Sequence, residues 1–350
     1  MTDSGSGLRE VPLSRLTTIG VGGPAADLAT LRSTEELVSV VRAADSASRP
    51  LLLLGGGSNV VVSDAGFPGL VVLIRTDGIT VDGGRLRVAA GESWDALVAY
   101  AVDQKLAGIE CLAGIPGLVG ATPIQNVGAY GQEVSDVITR VTAYDRGSHE
   151  LRELTADECG FGYRTSRFKA EAGRWVVTEV EFTLQPGKES RPRYGELTRS
   201  LRLEPGDAAP LEQVRAAVLA LRRSKGMVLD PTDPDTASCG SFFTNPILDA
   251  PAFRELSQRV GSEVPAYPEP GGRVKVPAAW LIDRAGFPKG YASAESGAAA
   301  LSAKHVLAIT NRGGATAADV LALAREVRDR VRERLGVCLV NEPVLVGAEL

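Results

Sequence analysis

Two glycine-rich segments of this 350-residue chain have the composition of anion-binding loops. The first, LGGGSN at 54–59, directly follows a short apolar run, and the second, 114–131, is rich in glycine, proline and small residues. Glycine lets backbone N–H groups converge on an anion, and Ser58 and Asn59 add short side-chain donors. Two such segments in one domain suit a dinucleotide pyrophosphate better than a single phosphate. A tight turn and a long structural loop are the alternative interpretations.

Three side chains elsewhere could supply a proton, a cation and an acid. Ser241 stands beside two phenylalanines in GSFFTN, and Arg164 lies in FGYRTSRF. Glu342 interrupts an apolar terminal segment, where a carboxylate needs a partner or an exposed strand edge. Pro343 favours the edge. A surface serine, a surface arginine and an edge carboxylate are the simpler interpretations of each residue taken alone.

Composition excludes several classes of protein. With 44% hydrophobic and 23% charged residues, the chain is globular, and its net charge of −5 gives no general attraction to nucleic acid or anionic membranes. Only two histidines are present, which argues against a histidine-rich metal centre and a Ser-His-Asp triad. The four cysteines lie far apart without zinc-ligand spacing, so no metal is predicted. GxxxxGK[ST], GxGxxG and GxSxG motifs are all absent.

The elements that must position these residues alternate between strands and helices. Capping boxes starting at Ser33 and Thr316 predict helices over 34–44 and 316–335, and a further helix is predicted over 211–225. Predicted strands cover 51–54, 60–62, 70–74, 86–90, 137–144 and 175–184, with a last, interrupted strand over 337–346. A compositional break at 185–193 predicts a domain boundary. The first ten residues carry no apolar signal-peptide region, and no apolar run reaches membrane-spanning length, so we expect a cytoplasmic protein.

Taken together, the motifs resemble one family, the UDP-N-acetylenolpyruvoylglucosamine reductases (UDP-N-acetylmuramate dehydrogenases). The resemblance rests on LTTIGVGGPA at 16–25, LLLLGGGSN at 51–59, GIPGLVGATPIQNVGAYG at 114–131, GYRTSRFK at 162–169, CGSFFTNP at 239–246 and LVNEPVLVG at 339–347. These motifs occur in family order across nearly the whole chain. The segment RPRYGEL resembles the type I branch, in which a tyrosine-bearing loop closes over bound substrate.

The resemblance implies an α+β fold. It comprises a two-subdomain FAD-binding region of the vanillyl-alcohol-oxidase type, with subdomains at 1–80 and 81–190. A substrate-binding domain at 191–350 follows, and its C-terminal strand contributes to the active site. The implied protein is a monomer without nucleic-acid partners or membrane insertion.

The implied chemistry is a hydride relay in peptidoglycan precursor synthesis. NADPH reduces FAD, and flavin N5 then passes a hydride to C3 of the enolpyruvyl group of UDP-N-acetylenolpyruvoylglucosamine, giving UDP-N-acetylmuramate. By resemblance, Ser241 donates the proton to C2, Arg164 grips the carboxylate and Glu342 completes the catalytic site.

The resemblance also implies ligand contacts. The cofactor-binding residues are Leu54, Gly55, Gly56, Gly57, Ser58, Asn59, Ile115, Pro116, Gly117, Gly120, Ala121, Pro123, Gln125, Asn126, Gly128 and Ala129. The substrate-binding residues are Tyr130, Tyr194, Lys225, Asn245, Tyr267, Lys275 and His305. Two other hypotheses stay open from the sequence. The chain could be a flavin oxidase that uses oxygen and another substrate, or a nucleotide-binding module without chemistry.

Overall fold

The computed structural model describes residues 11–293 and 297–350. Residues 1–10, on which the prediction about a signal peptide depends, lie outside that range. The chain divides into two compact units, each formed from separate stretches of sequence. The first contains Ala25–Gly56 and Pro68–Ser224, and the second contains Val11–Pro24, Gly57–Phe67 and Lys225–Leu350. The first unit continues past the predicted boundary near residue 190, and the three-part division stays a prediction.

Two sheets form the framework of the first unit. In one, the strands Pro24–Leu31, Phe67–Ile74 and Leu51–Leu54 lie side by side in that order, and the last two are parallel. The other is antiparallel and five-stranded, in the order Glu150–Thr155, Ile138–Asp145, Trp175–Thr183, Arg85–Ala89 and Ile79–Asp82. Strands buried on both faces read as unbroken apolar runs, which explains the buried centre of Phe67–Ile74. In Leu51–Leu54 only Leu54 is buried, and the other three leucines are half-buried.

Helices and short pairs of strands complete this unit. Its α-helices are Thr34–Ser46, Trp94–Asp103, Ala156–Cys159, Arg167–Ala170, Gly195–Leu201 and Leu211–Ser224. The short strand pairs are Leu106–Ala107 with Gln185–Pro186, Gly128–Ala129 with Gln132–Glu133, and Glu189–Ser190 with Ala209–Pro210. The predicted cap at Ser33 is confirmed, because its hydroxyl accepts the Glu36 N–H at 3.1 Å. The reciprocal half of the predicted capping box differs, since the Glu36 carboxylate accepts the Arg32 N–H instead.

The second unit is built around one long helix, Ala317–Leu335. Its buried positions recur every three or four residues, as an amphipathic helix requires, and join a core that includes Phe242, Phe243 and Phe287. The Thr316 capping box and the left-handed cap at Gly336 are both confirmed. The other α-helices are Ala250–Val260 and Ala278–Arg284, and the strands are Val11–Pro12, Val60–Val62, Ile247–Leu248, Tyr267–Glu269, Arg273–Lys275, Ala299–Leu301, Ile309–Asn311 and Val344–Val346.

The predicted strand over 337–346 is wrong in its first part. Only Val344–Val346 is a strand, and it pairs in parallel with Val60–Val62. Upstream of Pro343, Asn341 makes a single bridge to Phe243 and residues 337–340 form no strand. Across the described residues, no helix is long and apolar enough to cross a membrane.

Candidate active site

The two glycine-rich segments lie directly against each other within the first unit. A Cβ added to Gly56 would stand 2.8 Å from the Gly117 Cα, whereas one on Gly55 would make an ordinary 3.5 Å contact with Leu118. The second segment is held in place by the helix Trp94–Asp103, since Gly117 accepts the Trp94 N–H and Asp95 accepts the Gly114 N–H. The result is two bare backbones side by side, which fits the expected pyrophosphate cradle.

The LGGGSN motif crosses from the first unit into the second between Gly56 and Gly57. Gly57 has a φ of +63°, and a Cβ there would lie 1.9 Å from the Leu16 carbonyl oxygen, so only glycine fits. The Thr18 N–H donates to the Gly57 carbonyl at 3.0 Å, and the Thr18 hydroxyl donates to the Ser238 carbonyl at 2.6 Å. Sequence reasoning missed Thr18, although its motif, LTTIGVGGPA, was part of the family resemblance.

Ser241 and Glu342, the two predicted catalytic residues of the second unit, lie on paired segments. The Glu342 N–H donates to the carbonyl of Phe242, the residue after Ser241, at 2.9 Å. Asn59 supports the same segment, because its carbonyl accepts the Val344 N–H at 3.0 Å and its side-chain amide donates to the Glu342 carbonyl at 3.4 Å. Three predicted site residues from distant parts of the sequence therefore meet in one place.

Ser241 is half-buried and anchored by the aromatic residues that follow it. Phe242 and Phe243 are buried in the core, with ring centroids 5.2 Å apart, and the Phe242 N–H donates to the Leu307 carbonyl at 2.7 Å. Gly240 has a φ of +72° but nothing within 4 Å of its missing Cβ. Glycine is needed there for the backbone conformation, which sets the direction of the serine.

Arg164 lies in the first unit, beside the end of the second glycine-rich segment. Its guanidinium donates to the carbonyls of Asn126, at 3.2 Å, and Gly128, and lies 5.4 Å from the Tyr163 ring. Its backbone has a φ of +51°, a left-handed conformation that non-glycine residues adopt only where surrounding contacts enforce it. The Lys169 ammonium, donating to the Arg164 carbonyl at 3.0 Å, is one such contact.

Tyr130 and Tyr194 form an aromatic pair in the first unit. Their ring centroids are 5.5 Å apart and their planes are nearly perpendicular. Tyr194 is 46% exposed and precedes the helix Gly195–Leu201. Burial raises the pKa of Tyr130 to about 12, and the nearby Arg222 opposes this shift only in part. Tyr130 is therefore a neutral hydrogen-bonding group at physiological pH.

A small three-stranded sheet in the second unit groups three of the predicted substrate-binding residues. Tyr267 and Lys275 are direct cross-strand partners, and Lys275 is also paired with Ile247 on its other side. Lys275 forms an ion pair with Glu269. Asn245 immediately precedes this sheet, and its side-chain oxygen accepts the Ala278 N–H at 2.9 Å.

The other two predicted substrate-binding residues occupy different places in the second unit. Lys225 directly follows the helix that ends at Ser224. His305 lies in the turn between two short strands, where its N–H donates to the Ser302 hydroxyl at 3.2 Å. In residues 11–293 and 297–350, no group of three or more histidine, cysteine and acidic side chains could hold a metal ion.

Asp235, which is buried, is the second residue that sequence reasoning missed. It follows the Asp230 turn and accepts the Ala303 N–H at 2.8 Å and an Arg312 N–H at 2.7 Å. Burial opposes its ionisation, but hydrogen bonds from Ala303 and Ser302 and the charge of Arg312 hold its pKa below the usual value. Asp235 thus links the loop before Ser241 to the turn that bears His305. Its only sequence signal was a polar loop.

Comparison with known families defines the class of protein. An FAD-binding domain model matches residues 25–154, and residues 230–346 match a model described as the C-terminal domain of UDP-N-acetylenolpyruvoylglucosamine reductase. The predicted α+β fold with an FAD-binding region is confirmed, as is FAD as cofactor, whereas the vanillyl-alcohol-oxidase type of that region stays a prediction. The chain is a flavin-dependent oxidoreductase.

Individual relatives narrow that class. The UDP-N-acetylenolpyruvoylglucosamine reductase of Thermobifida fusca is 57% identical over 98% of both chains, and that of Streptomyces avermitilis is 54% identical over 98% of this chain and 96% of its own. A crystal structure of the Thermus caldophilus reductase is 29% identical, with a TM-score of 0.66, covering 97% of this chain and 98% of its own. The chain belongs to the UDP-N-acetylenolpyruvoylglucosamine reductase family.

Proposed function

We propose that this protein uses NADPH to reduce the enolpyruvyl group of UDP-N-acetylenolpyruvoylglucosamine, giving UDP-N-acetylmuramate for peptidoglycan precursor synthesis. The observation that carries the proposal is the pairing of the Ser241 and Glu342 segments through the Phe242 carbonyl. This pairing puts a hydroxyl and a carboxyl group on adjacent segments, as protonation at one carbon requires. The relatives named above carry the same substrate in their names.

The paired glycine-rich segments bind the FAD in this proposal. The main chains around Gly56 and Gly117 carry no side chains where they meet, which leaves their amide groups accessible to a pyrophosphate. The proposed contacts are those of residues 54–59 and 115–129 named in the sequence analysis, except Asn126, whose buried side chain bonds to Glu133 and Gly162 instead. When bound, the flavin would supply the hydride that is added at C3 of the substrate.

Arg164 holds the substrate carboxylate. Hydride addition at C3 moves negative charge towards this carboxylate, so a cation fixed beside it stabilises the transition state more than the ground state. A guanidinium suits the task because it meets both carboxylate oxygens at once, whereas an ammonium acts as a point charge. The left-handed backbone at Arg164, with its guanidinium bonded to the Asn126 carbonyl, is consistent with a preorganised position.

Ser241 donates the proton to C2 from its Oγ. A serine hydroxyl is a weak acid, so this transfer needs a carbon whose negative charge is developed and a hydroxyl that is already in place. The buried Phe242 and Phe243 give Ser241 a rigid support. Glu342 pairs with Phe242, the residue next to Ser241. When protonated, the Glu342 carboxyl group donates a hydrogen bond to the developing enolate.

The rest of the substrate is proposed to contact two groups of residues. Tyr130 and Tyr194 bind the sugar nucleotide from the first unit, with Tyr194 on the loop that closes over it. Tyr267 and Lys275 contact the diphosphate, and the remaining contacts are Lys225, Asn245 and His305. We further propose that the protein is a cytoplasmic monomer. Size-exclusion chromatography with light scattering tests the monomeric state.

The testing experiment is NADPH oxidation by the purified, flavin-loaded protein with and without UDP-N-acetylenolpyruvoylglucosamine. The expected result is oxidation that depends on the sugar nucleotide and continues without oxygen. Oxidation that needs oxygen and ignores the sugar nucleotide would instead favour a flavin oxidase. If neither the sugar nucleotide nor oxygen supported NADPH oxidation, a nucleotide-binding module without chemistry would be the remaining hypothesis.

A further inference from the structure

The side chain of Asn126 is turned into the protein rather than towards a ligand. It is 1% exposed, and its amide nitrogen donates to a Glu133 carboxylate oxygen at 2.8 Å and to the Gly162 carbonyl at 3.1 Å. Its oxygen accepts the Ser135 N–H at 3.1 Å. With both donors and the acceptor engaged, this side chain has little hydrogen-bonding capacity left for a cofactor.

Asn126 contacts the Arg164 loop at two separate points. The side chain holds the carbonyl of Gly162, two residues before Arg164, and the main-chain carbonyl accepts a guanidinium N–H of Arg164 at 3.2 Å. Asn126 itself has a left-handed backbone, with a φ of +46°. Two left-handed non-glycine residues in direct contact indicate that each local conformation is enforced by the other's contacts.

Glu133 contacts both Asn126 and Gly128, the two residues whose carbonyls accept hydrogen bonds from Arg164. Glu133 and Gly128 are direct partners in a two-residue antiparallel ladder, and Gly128 offers its carbonyl to the other guanidinium nitrogen. The carboxylate of Glu133 also fixes the Asn126 amide. The hairpin therefore carries the Gly128 carbonyl, and its Glu133 side chain fixes Asn126, the residue that supplies the other carbonyl.

We propose that Asn126 and Glu133 are positioning residues that orient Arg164 for bidentate contact with the substrate carboxylate. The inference rests on the proposed function, because it assigns no new ligand and acts only through Arg164. The direction of the guanidinium plane decides whether both carboxylate oxygens are met, and displacement by about 1 Å costs about 100-fold in rate. Neither side chain touches the substrate in this assignment.

The test compares Asn126→Asp, Arg164→Ala and their double variant. Aspartate has the same shape as asparagine but puts an acceptor where the amide donated to Glu133 and Gly162. We expect Asn126→Asp to slow flavin reoxidation by the enolpyruvyl substrate by about 10- to 100-fold and to weaken substrate binding in equilibrium titrations. Flavin content and flavin reduction by NADPH should stay unchanged.

The double variant separates positioning from a general structural effect. If Asn126 acts through Arg164, adding Asn126→Asp to Arg164→Ala causes no further loss, whereas independent effects multiply. Asp145→Asn is the control, the reverse exchange at a buried site of the same unit, where the carboxylate bonds to Arg174, Gly147 and Ser148. It should lower the melting temperature but leave substrate binding unchanged.

Glu133 gives a second, milder pair of variants. Glu133→Gln keeps an acceptor oxygen for Asn126 and should retain most of the reoxidation rate. Glu133→Ala removes that acceptor and should slow reoxidation about as much as Asn126→Asp does. A folded, flavin-loaded Asn126→Asp with wild-type kinetics, or multiplicative losses in the double variant, would overturn the inference. If Asn126→Asp does not fold, the Glu133 pair decides. Unchanged substrate binding in Arg164→Ala would instead overturn the proposed role of Arg164.

Discussion

The ring of Tyr194 meets the ring of Tyr130 edge to face, with centroids 5.5 Å apart and an interplanar angle of 89°. This contact joins Tyr130, near the end of the second glycine-rich segment, to the residue that precedes the Gly195–Leu201 helix. Edge-to-face pairs contribute about 0.5–1.5 kcal/mol beyond the area they bury. The contact holds Tyr194 at the first unit while leaving nearly half of it exposed.

Replacing Tyr194 with phenylalanine keeps this ring contact and removes only the hydroxyl. We expect KM for the sugar nucleotide to rise about fivefold, the equivalent of one hydrogen bond of about 1 kcal/mol, with kcat little changed. Steady-state kinetics measure both. Tyr291→Phe is a matched control, because Tyr291 also packs edge to face, on Phe287, and its hydroxyl bonds to Glu326. An unchanged KM in Tyr194→Phe would argue against substrate contact.

The elevated pKa of Tyr130 predicts a specific alkaline behaviour. Burial raises the pKa from 10.0 to about 12, while the unfolded chain ionises near 10. The contribution of Tyr130 to stability is therefore complete below about pH 10 and is lost as the pH rises towards 12. Denaturation curves at several alkaline pH values should show a shallower loss of stability in Tyr130→Phe than in the wild type. The same loss of stability with pH in both proteins would contradict the raised pKa of Tyr130.

The close approach of Gly56 and Gly117 predicts a sharp difference between neighbouring glycines. Gly56→Ala forces its Cβ to within 2.8 Å of the Gly117 Cα, so one backbone must move. We expect a loss of about 1–3 kcal/mol in stability and a clear loss of bound FAD, measured by the flavin-to-protein absorbance ratio. Gly55→Ala is the control, because its Cβ meets only the Leu118 side chain at 3.5 Å. Equal flavin content in both variants would contradict the proposal that the backbones at Gly56 and Gly117 bind the FAD pyrophosphate.

Local chemistry explains which parts of this fold the sequence could predict. The caps at Ser33 and Thr316 depend on residues three positions apart, so their hydrogen bonds follow directly from the spacing. Strands such as Leu51–Leu54 were readable from apolar runs bounded by turns. The terminal strand was predicted too long, because its pairing with Val60–Val62 begins only after Pro343. The residues around 337–346 do not show where that distant partner strand lies.

The candidate site shows the same limit. Individual residues such as Ser241 and Glu342 were accessible through motif resemblance, but their pairing joins positions a hundred residues apart. Thr18 and Asp235 escaped notice because their partners, Ser238 and Ala303, also lie far away in sequence, at separations of 220 and 68 residues. A threonine in a turn and an aspartate in a polar loop have common local explanations, and only tertiary contacts distinguish them.

The ion pair of Asp145 and Arg174 predicts acid sensitivity of the first unit. Asp145 is fully buried and bidentate with Arg174, at 2.9 and 2.7 Å, which holds the Asp145 pKa well below its usual range. Its stabilisation is therefore present above about pH 4 and is lost progressively as the pH falls below it. Asp145→Asn should cost about 2 kcal/mol near pH 7 and less in acid, measured by urea denaturation at both pH values.

An exposed ion pair provides the comparison. Glu153, paired with Arg140, is half exposed, so Glu153→Gln should change stability by less than about 1 kcal/mol at either pH. A wild-type protein that loses no more stability in acid than Asp145→Asn would contradict the assignment to this pair.

Ser241→Ala separates the two halves of the proposed reaction. Reduction of the flavin by NADPH does not require a proton at substrate C2, so stopped-flow measurement of that step should give the wild-type rate. Reoxidation by the sugar nucleotide needs that proton and should slow by about 10²- to 10⁴-fold, the usual contribution of a positioned acid. Thr244→Ala, which removes a hydroxyl from the same segment beyond Phe243, is the control and should affect neither step. Equal slowing of both steps in Ser241→Ala would mean that the serine supports the flavin site rather than the protonation.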